Sequence, residues 1–189
     1  MAKDKERPMK TARGEKAAVG GLENPLDIIH EDHMREREVC ALIDRLVSAA
    51  SLQDADVHQI VAFLEEQLPQ HLADEEIDLF PMMLNRCEPE DEIEKVIEKL
   101  QFDHGHALAD APAVVAMIRA IAASSSDRFD HDCQQISAFA HHARRHLILE
   151  NAVILPIARA RLTEDDLRTM KRHMLERRGI TPPPETKTC

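Results

Sequence analysis

The sequence predicts an all-α protein, an antiparallel up-down-up-down four-helix bundle with a short C-terminal helix and disordered ends. Four long segments repeat apolar residues at the three-to-four spacing of a helix face. Short turn-forming stretches join them, which favours antiparallel neighbours. The chain holds five Gly and neither Trp nor Tyr, too few turn glycines and strand aromatics for a β fold. Its 189 residues suffice for one domain with a buried core.

Residues 1–23 are polar, without an apolar period, and read as a disordered arm. The bundle is expected over 24–162, the short helix over 163–178 and a flexible tail over 179–189. Asn24 and Pro25 suit the N-cap and first position of a helix reaching about Ala50. Leu26, Ile29, His33, Cys40 and Val47 share its face, with Glu36, Arg37 and Asp44 intruding. After a turn at Ser51-Leu52-Gln53-Asp54, a second helix runs to about Leu84 on a stripe of Val57, Ile60, Val61, Leu64, Leu68, Leu72 and Leu79. Pro69 and Pro81 each lack a backbone donor and are expected to kink or break it.

The pattern breaks at Cys87-Glu88-Pro89-Glu90. A third helix follows from near Glu90, on Ile93, Ile97, Leu100, His104, Leu108, Ala111, Val115, Ile118 and Ala122, with a kink at Pro112. Ser124 to Asp127 form the next turn. The fourth helix carries Ile136, Phe139, Ala143, His146, Leu147, Glu150, Ile154 and Ile157 on one face. Thr163 followed by Glu164, Asp165 and Asp166 reads as an N-cap with an acidic first turn, and Gly179 as a left-handed C-cap.

Bulk chemistry excludes some classes of function. A formal charge of −11 opposes binding to a phosphate backbone, so no nucleic-acid partner is expected. No apolar run approaches the roughly 18–20 residues of a membrane span, and no signal-peptide core follows the charged N-terminus. Cys40, Cys87, Cys133 and Cys189 form no C-x-x-C pair and read as free thiols. The expectation is a cytoplasmic protein without a membrane partner.

The informative feature is an internal repeat. Gln70-His71-Leu72-Ala73-Asp74-Glu75 returns as Arg145-His146-Leu147-Ile148-Leu149-Glu150, with Pro81 and Pro156 each ten residues beyond the His. Helix positions four apart lie about 40° apart around the axis, so each copy sets an imidazole beside a carboxylate. Asp32-His33 likewise returns as Asp103-His104, and the His-to-His separations are 38 and 42 residues. Two hairpins related by a pseudo-two-fold would gather His33, His71, Glu75, His104, His146 and Glu150 around one interior point.

Taken singly, a core His is usually a hydrogen-bonded structural residue and a His/Glu pair a surface ion pair. Here the apolar stripes predict that all six groups are buried, and burying such groups without a cation costs several kcal/mol per ion. A metal would supply that charge. Imidazole with added carboxylate suits iron or manganese, and six ligands with two Glu able to bridge fit a pair of ions. Ferritin-like sites use Glu-x-x-His; the order and spacing here differ.

These motifs resemble the hemerythrin-like, or HHE cation-binding, family: Asp32-His33, His71-x-x-x-Glu75-Glu76 with Leu79-Phe80-Pro81, Asp103-His104, and His146-x-x-x-Glu150 with Ile154-Leu155-Pro156. The resemblance covers roughly residues 25–160. It implies a four-helix bundle around two Fe ions joined by an oxo, hydroxo or water bridge. His33, His71, His104 and His146 would be terminal ligands, and Glu75 and Glu150 the bridging carboxylates. Oxygen-carrying hemerythrins use five His and two carboxylates, with His-x-x-x-His on the third helix. Here Leu108 stands four beyond His104. His142, one turn before His146, is the candidate for a further ligand, and His30, one turn before His33, competes for the first-helix position. Glu36 could accept a hydrogen bond behind the ligands. His58, His106, His131, His141 and His173 read as surface residues.

The function this implies is binding or sensing of O2, or of NO or peroxide, at a di-iron centre, in preference to an enzyme. Iron-dependent breakdown of peroxide or NO, and iron or redox sensing through metal-dependent stability, are the alternatives.

Overall fold

The computed structural model describes residues 24–48, 53–123 and 130–181. The expected arm over 1–23, the tail beyond 181 and the turns around 51–52 and 124–127 lie outside the described residues. The described chain is helical and contains no strand. Helix α1 (Pro25–Val47) starts where Asn24 Oδ1 accepts from the Leu26 N–H at 2.9 Å, with Pro25 supplying a preset φ.

The second helical stretch comprises α2 (Asp54–Ala62), α3 (Leu68–Asp74) and α4 (Phe80–Arg86), joined by π turns at Phe63–Gln67 and Glu75–Leu79. A short 3-10 turn (Pro89–Asp91) precedes α5 (Ile93–Ala123). Next come α6 (Asp130–Leu149), a third π turn (Glu150–Ile154), α7 (Leu155–Arg161) and α8 (Glu164–Arg177). The Thr163 hydroxyl caps α8 by accepting from the Asp166 N–H at 3.2 Å, and Gly179 ends it at φ 65°.

Pro69, Pro81 and Pro156 do not break their helices: each follows one of the π turns. A proline donates no N–H and crowds the carbonyl four residues earlier. The preceding turn relaxes to one i→i+5 bond, Phe80 N–H to Glu75 O and Leu155 N–H to Glu150 O. In each His-x-x-x-Glu copy the π turn thus begins at the glutamate itself. Pro112 is held within the continuous α5.

Packing divides into two apolar clusters. One contains Ile29, Phe80, Met83, Leu100, Ile154 and Met174; the other contains Ile43, Ile60, Leu64, Ile118, Ile136 and Ala140. Burying each large side chain stabilises by about 1.5–3 kcal/mol. Along α1 the chain passes from the first cluster to the second, and from α2 to α4 it returns. It crosses again along α5 and comes back along α6 and α7. Each crossing carries its polar residues between the clusters. Helix α1 packs on α6, α5 on α6 and α2 on α5, while α8 closes the first cluster with Met170, Met174 and Leu175.

The α5 stripe differs from the sequence reading: Leu108 and Ala122 are exposed and Val114 and Ile121 are buried, because the inward face of α5 is set by His104, Ala111 and Ile118. Helix α5 is also long and apolar enough to cross a membrane by length and composition, which the sequence reading did not recognise. Its alanines raise the hydropathy, while its buried face packs on α6 and α2.

Candidate metal centre

Between the two apolar clusters lies a layer of buried polar residues. His33 comes from α1, His71 from α3, His104 from α5 and His146 from α6, with Glu75 and Glu150 at the first positions of two π turns. The two glutamates and His33 are fully buried, and His71, His104 and His146 are buried as well. Their ligand atoms converge in two groups: His33, His71, Glu75 and Glu150; and Glu75, His104, His146 and Glu150. Glu75 and Glu150 belong to both.

The spacing inside the groups suits a coordination shell. His33 Nε2 lies 3.6 Å from Glu75 Oε1 and 3.2 Å from Glu150 Oε2. His71 Nε2 is 3.6 Å and His104 Nε2 3.4 Å from Glu75 Oε2. His146 Nε2 is 2.8 Å from Glu150 Oε1 and 3.0 Å from His104 Nε2. Ligands at about 2.1 Å from an ion stand about 3.0 Å apart in octahedral and about 3.4 Å apart in tetrahedral geometry. Both oxygens of Glu75 and of Glu150, and the inward Nε2 of His33 and of His71, have no hydrogen-bond partner. Buried polar atoms are normally paired, so a set of orphans converging on two points fits cations held there.

Nδ1 nitrogens turn outward, three of them toward carboxylates. His104 Nδ1 is 2.7 Å from Glu76 Oε1. His71 Nδ1 lies 3.7 Å from Asp32 Oδ2, and His146 Nδ1 3.8 Å from Asp103 Oδ2, ion-pair separations longer than a hydrogen bond. The aspartate of each Asp-His pair thus backs a histidine of another helix, not its own neighbour. The symmetry stops at Asn151, the counterpart of Glu76. It bonds His30 and the Leu147 carbonyl, while His33 Nδ1 has no hydrogen-bond partner.

These surroundings set the electrostatics. Burial alone pulls the His71 imidazole down, but Glu75, Glu150 and Glu36 outweigh it and hold it above its ordinary value. Burial likewise opposes His104, which Glu150, Glu75 and Glu76 hold up. Burial opposes it, but Glu150 is driven well below the usual carboxylate range because the His104, His146 and His33 imidazoles lie against it. Burial raises Glu36. Burial, with Glu36 nearby, pushes the Cys40 thiol up to about 12, so it stays a protonated core residue.

All six expected ligands are brought together. His30 and His142 are not: both are exposed and lie outside the two groups. His30 instead bonds Asn151 Oδ1 at 3.2 Å, because the buried face of α1 runs through Leu26, Ile29 and His33 and leaves His30 outside it. His142 sits on the lining of a cavity of about 720 Å³ that reaches His104, His146 and Glu36. His58, His106, His131 and His141 are exposed. His173 is half-buried, its Nδ1 2.6 Å from Asp78 Oδ1.

Sequence reasoning missed the ionic network on which His173 sits. Asp74 and Asp78 are buried one turn from the ligand pair. Arg177 Nε lies 2.6 Å from Asp74 Oδ1, and Arg177 also pairs with Asp78. Arg178 lies 2.6 Å from Asp74 and 3.3 Å from Asp32, the carboxylate behind His71. The acidic pair at i, i+4 is visible in the sequence; its basic partners lie about a hundred residues away and give no local signal.

Comparison with known proteins agrees with this geometry. The model of the hemerythrin HHE cation binding domain matches residues 24–158. A Haemophilus influenzae protein described as uncharacterized is 26% identical over 162 residues, which is 82% of this chain and 91% of its own. No solved structure matches the chain.

Proposed function

We propose, from the premise that the chain belongs to the hemerythrin HHE cation-binding family, that it holds a pair of iron ions and binds or senses O2, NO or peroxide there. The observation that carries this is the pair of four-ligand groups sharing Glu75 and Glu150. Glu75 and Glu150, common to both groups, would let one interior layer serve two cations. His33 and His71 would serve one ion and His104 and His146 the other. The alternating passage between the two clusters supports reading the four long stretches as an antiparallel up-down-up-down bundle over 24–162, with 163–178 as an added helix. A cytoplasmic setting is part of this proposal.

Bound iron would supply redox equivalents to a small oxidant. The protein's own residues do the rest. Four Nε2 atoms and two carboxylates would hold the ions, and the outward Nδ1 contacts to Glu76, Asp32 and Asp103 hold three of the imidazoles. The apolar clusters shield the layer on its two flanks.

The test is anaerobic loading of metal-free protein with Fe(II), counting bound iron, then admitting O2 while recording the visible spectrum. Two ions per chain and an O2-dependent spectrum are expected. A change that reverses under vacuum supports carriage; irreversible oxidation supports sensing or turnover. One bound ion, or none, refutes the paired site. Glu150→Ala should abolish it, and retention of two ions by that variant would remove Glu150 from the bridging role.

A second reading, sensing of iron through stability, is favoured by the contact between the carboxylate behind His71 and Arg178 just beyond α8. Loss of metal would then be felt at the C-terminal helix.

A further inference from the structure

We propose that Glu36 is the hydrogen-bonding residue that holds a small ligand on the open face of the His/Glu centre. This rests on the metal reading above and gives it a residue that reading does not use. Glu36 follows His33 by three positions on α1, so it projects from the same face one turn on, and it is only 6% exposed. No hydrogen bond or ion pair reaches its carboxyl group among the described residues. The groups near enough to act on it electrostatically are His71, Glu150, His146 and His33, which come from both ligand groups. It therefore lies within electrostatic reach of both groups. Yet it belongs to neither set of converging ligand atoms, so it stands back from the positions of the ions.

On its other side Glu36 lines the cavity of about 720 Å³, whose wall includes His104 and His146. A cavity of this size admits small organic molecules as well as diatomic ligands. Neither Lys nor Arg lines it, and Asp103 and Asp110 do. A buried carboxyl that no Lys or Arg pairs can hydrogen-bond a small ligand, through its own proton or through one the ligand carries. Packing alone gives no reason for an acid here, since Val39, Cys40 and Ile43 further along the same helix are apolar core residues. Glu36 shares the cavity wall with His104 and His146, where an incoming ligand of two or three atoms would rest. Its chemical class is a small hydrogen-bond acceptor, anionic or neutral.

The test uses full-length protein loaded with iron, oxidised in air and titrated with sodium azide while the visible absorption is read. Glu36→Gln keeps a donor of the same shape and should bind azide within about threefold of wild type. Glu36→Leu and Glu36→Ala remove it and should weaken binding at least about tenfold, the effect of losing one hydrogen bond to a charged group, at wild-type iron content. Wild-type azide affinity in both the Leu and Ala variants overturns the proposal. Loss of iron from the Gln, Leu and Ala variants alike also overturns it, by placing the carboxylate among the metal ligands. A wild-type protein that takes up no iron overturns the underlying metal reading as well.

Discussion

Loading the centre should raise the thermal stability of the protein by an amount that can be worked from the two ligand groups. Each holds four buried ligands, with Glu75 and Glu150 common to both. Filling one site at about a thousand times its Kd stabilises a fold by about 4 kcal/mol, so two sites give about 8 kcal/mol. For a chain of this length each kcal/mol moves the midpoint by about 2–4 °C, so the loaded protein should unfold roughly 16–30 °C above the metal-free form. His71→Ala removes one ligand from the first group and leaves Glu75, His104, His146 and Glu150 intact. The gain should fall to about half. The assay is anaerobic scanning calorimetry at fixed excess Fe(II), comparing wild type and His71→Ala with and without metal. A wild-type gain below about 3 °C, or an equal gain in His71→Ala, would refute the reasoning.

Three further outcomes follow from other parts of the structure. Arg178→Ala leaves the buried carboxylate of Asp74 with one cation fewer and strips the contact from Asp32. It should cost about 3 kcal/mol in urea unfolding, and no measurable loss would mean that Arg177 alone satisfies the cluster. Leu79, fully buried beside Glu75 in its π turn, should cost about 2–5 kcal/mol when changed to Ala, read by the same unfolding curves. Hydrogen bonds from Arg86 at 2.8 and 3.0 Å hold the Asp166 carboxyl down to about 2. Its stabilising contribution is thus present above about pH 4 and lost as the pH falls toward 2. Asp166→Asn should flatten that part of the acid-unfolding curve followed by circular dichroism, and an unchanged curve would show that the pair carries no pH dependence.

Much of the fold was legible because helical order is a local property. Asn24-Pro25, Thr163 and Gly179 mark helix ends by their own backbone and side-chain chemistry, and the structure places them there. The clustering of His33, His71, Glu75, His104, His146 and Glu150 was legible for a related reason. Burial of His and Glu within an apolar stripe conflicts with the solvation of those groups, and the conflict is visible in the spacing alone. Where the stripe was ambiguous, as at Leu108 against Val114, only packing decided, since both positions lie near the boundary of the α5 face.

Sequence by itself therefore determined that the chain is helical and that two His-x-x-x-Glu copies and two Asp-His pairs compose one polar layer. Tertiary structure alone decided which atoms meet. It shared Glu75 and Glu150 between two groups and turned Asp32 and Asp103 toward the histidines of other helices. It moved the proline effect onto the glutamates and locked Asp74 and Asp78 to Arg177 at the far end of the chain. The physical reason is range. Periodicity and capping act over a few residues, whereas an ion pair or a ligand shell is set by distances of a few ångströms between segments that the sequence holds far apart.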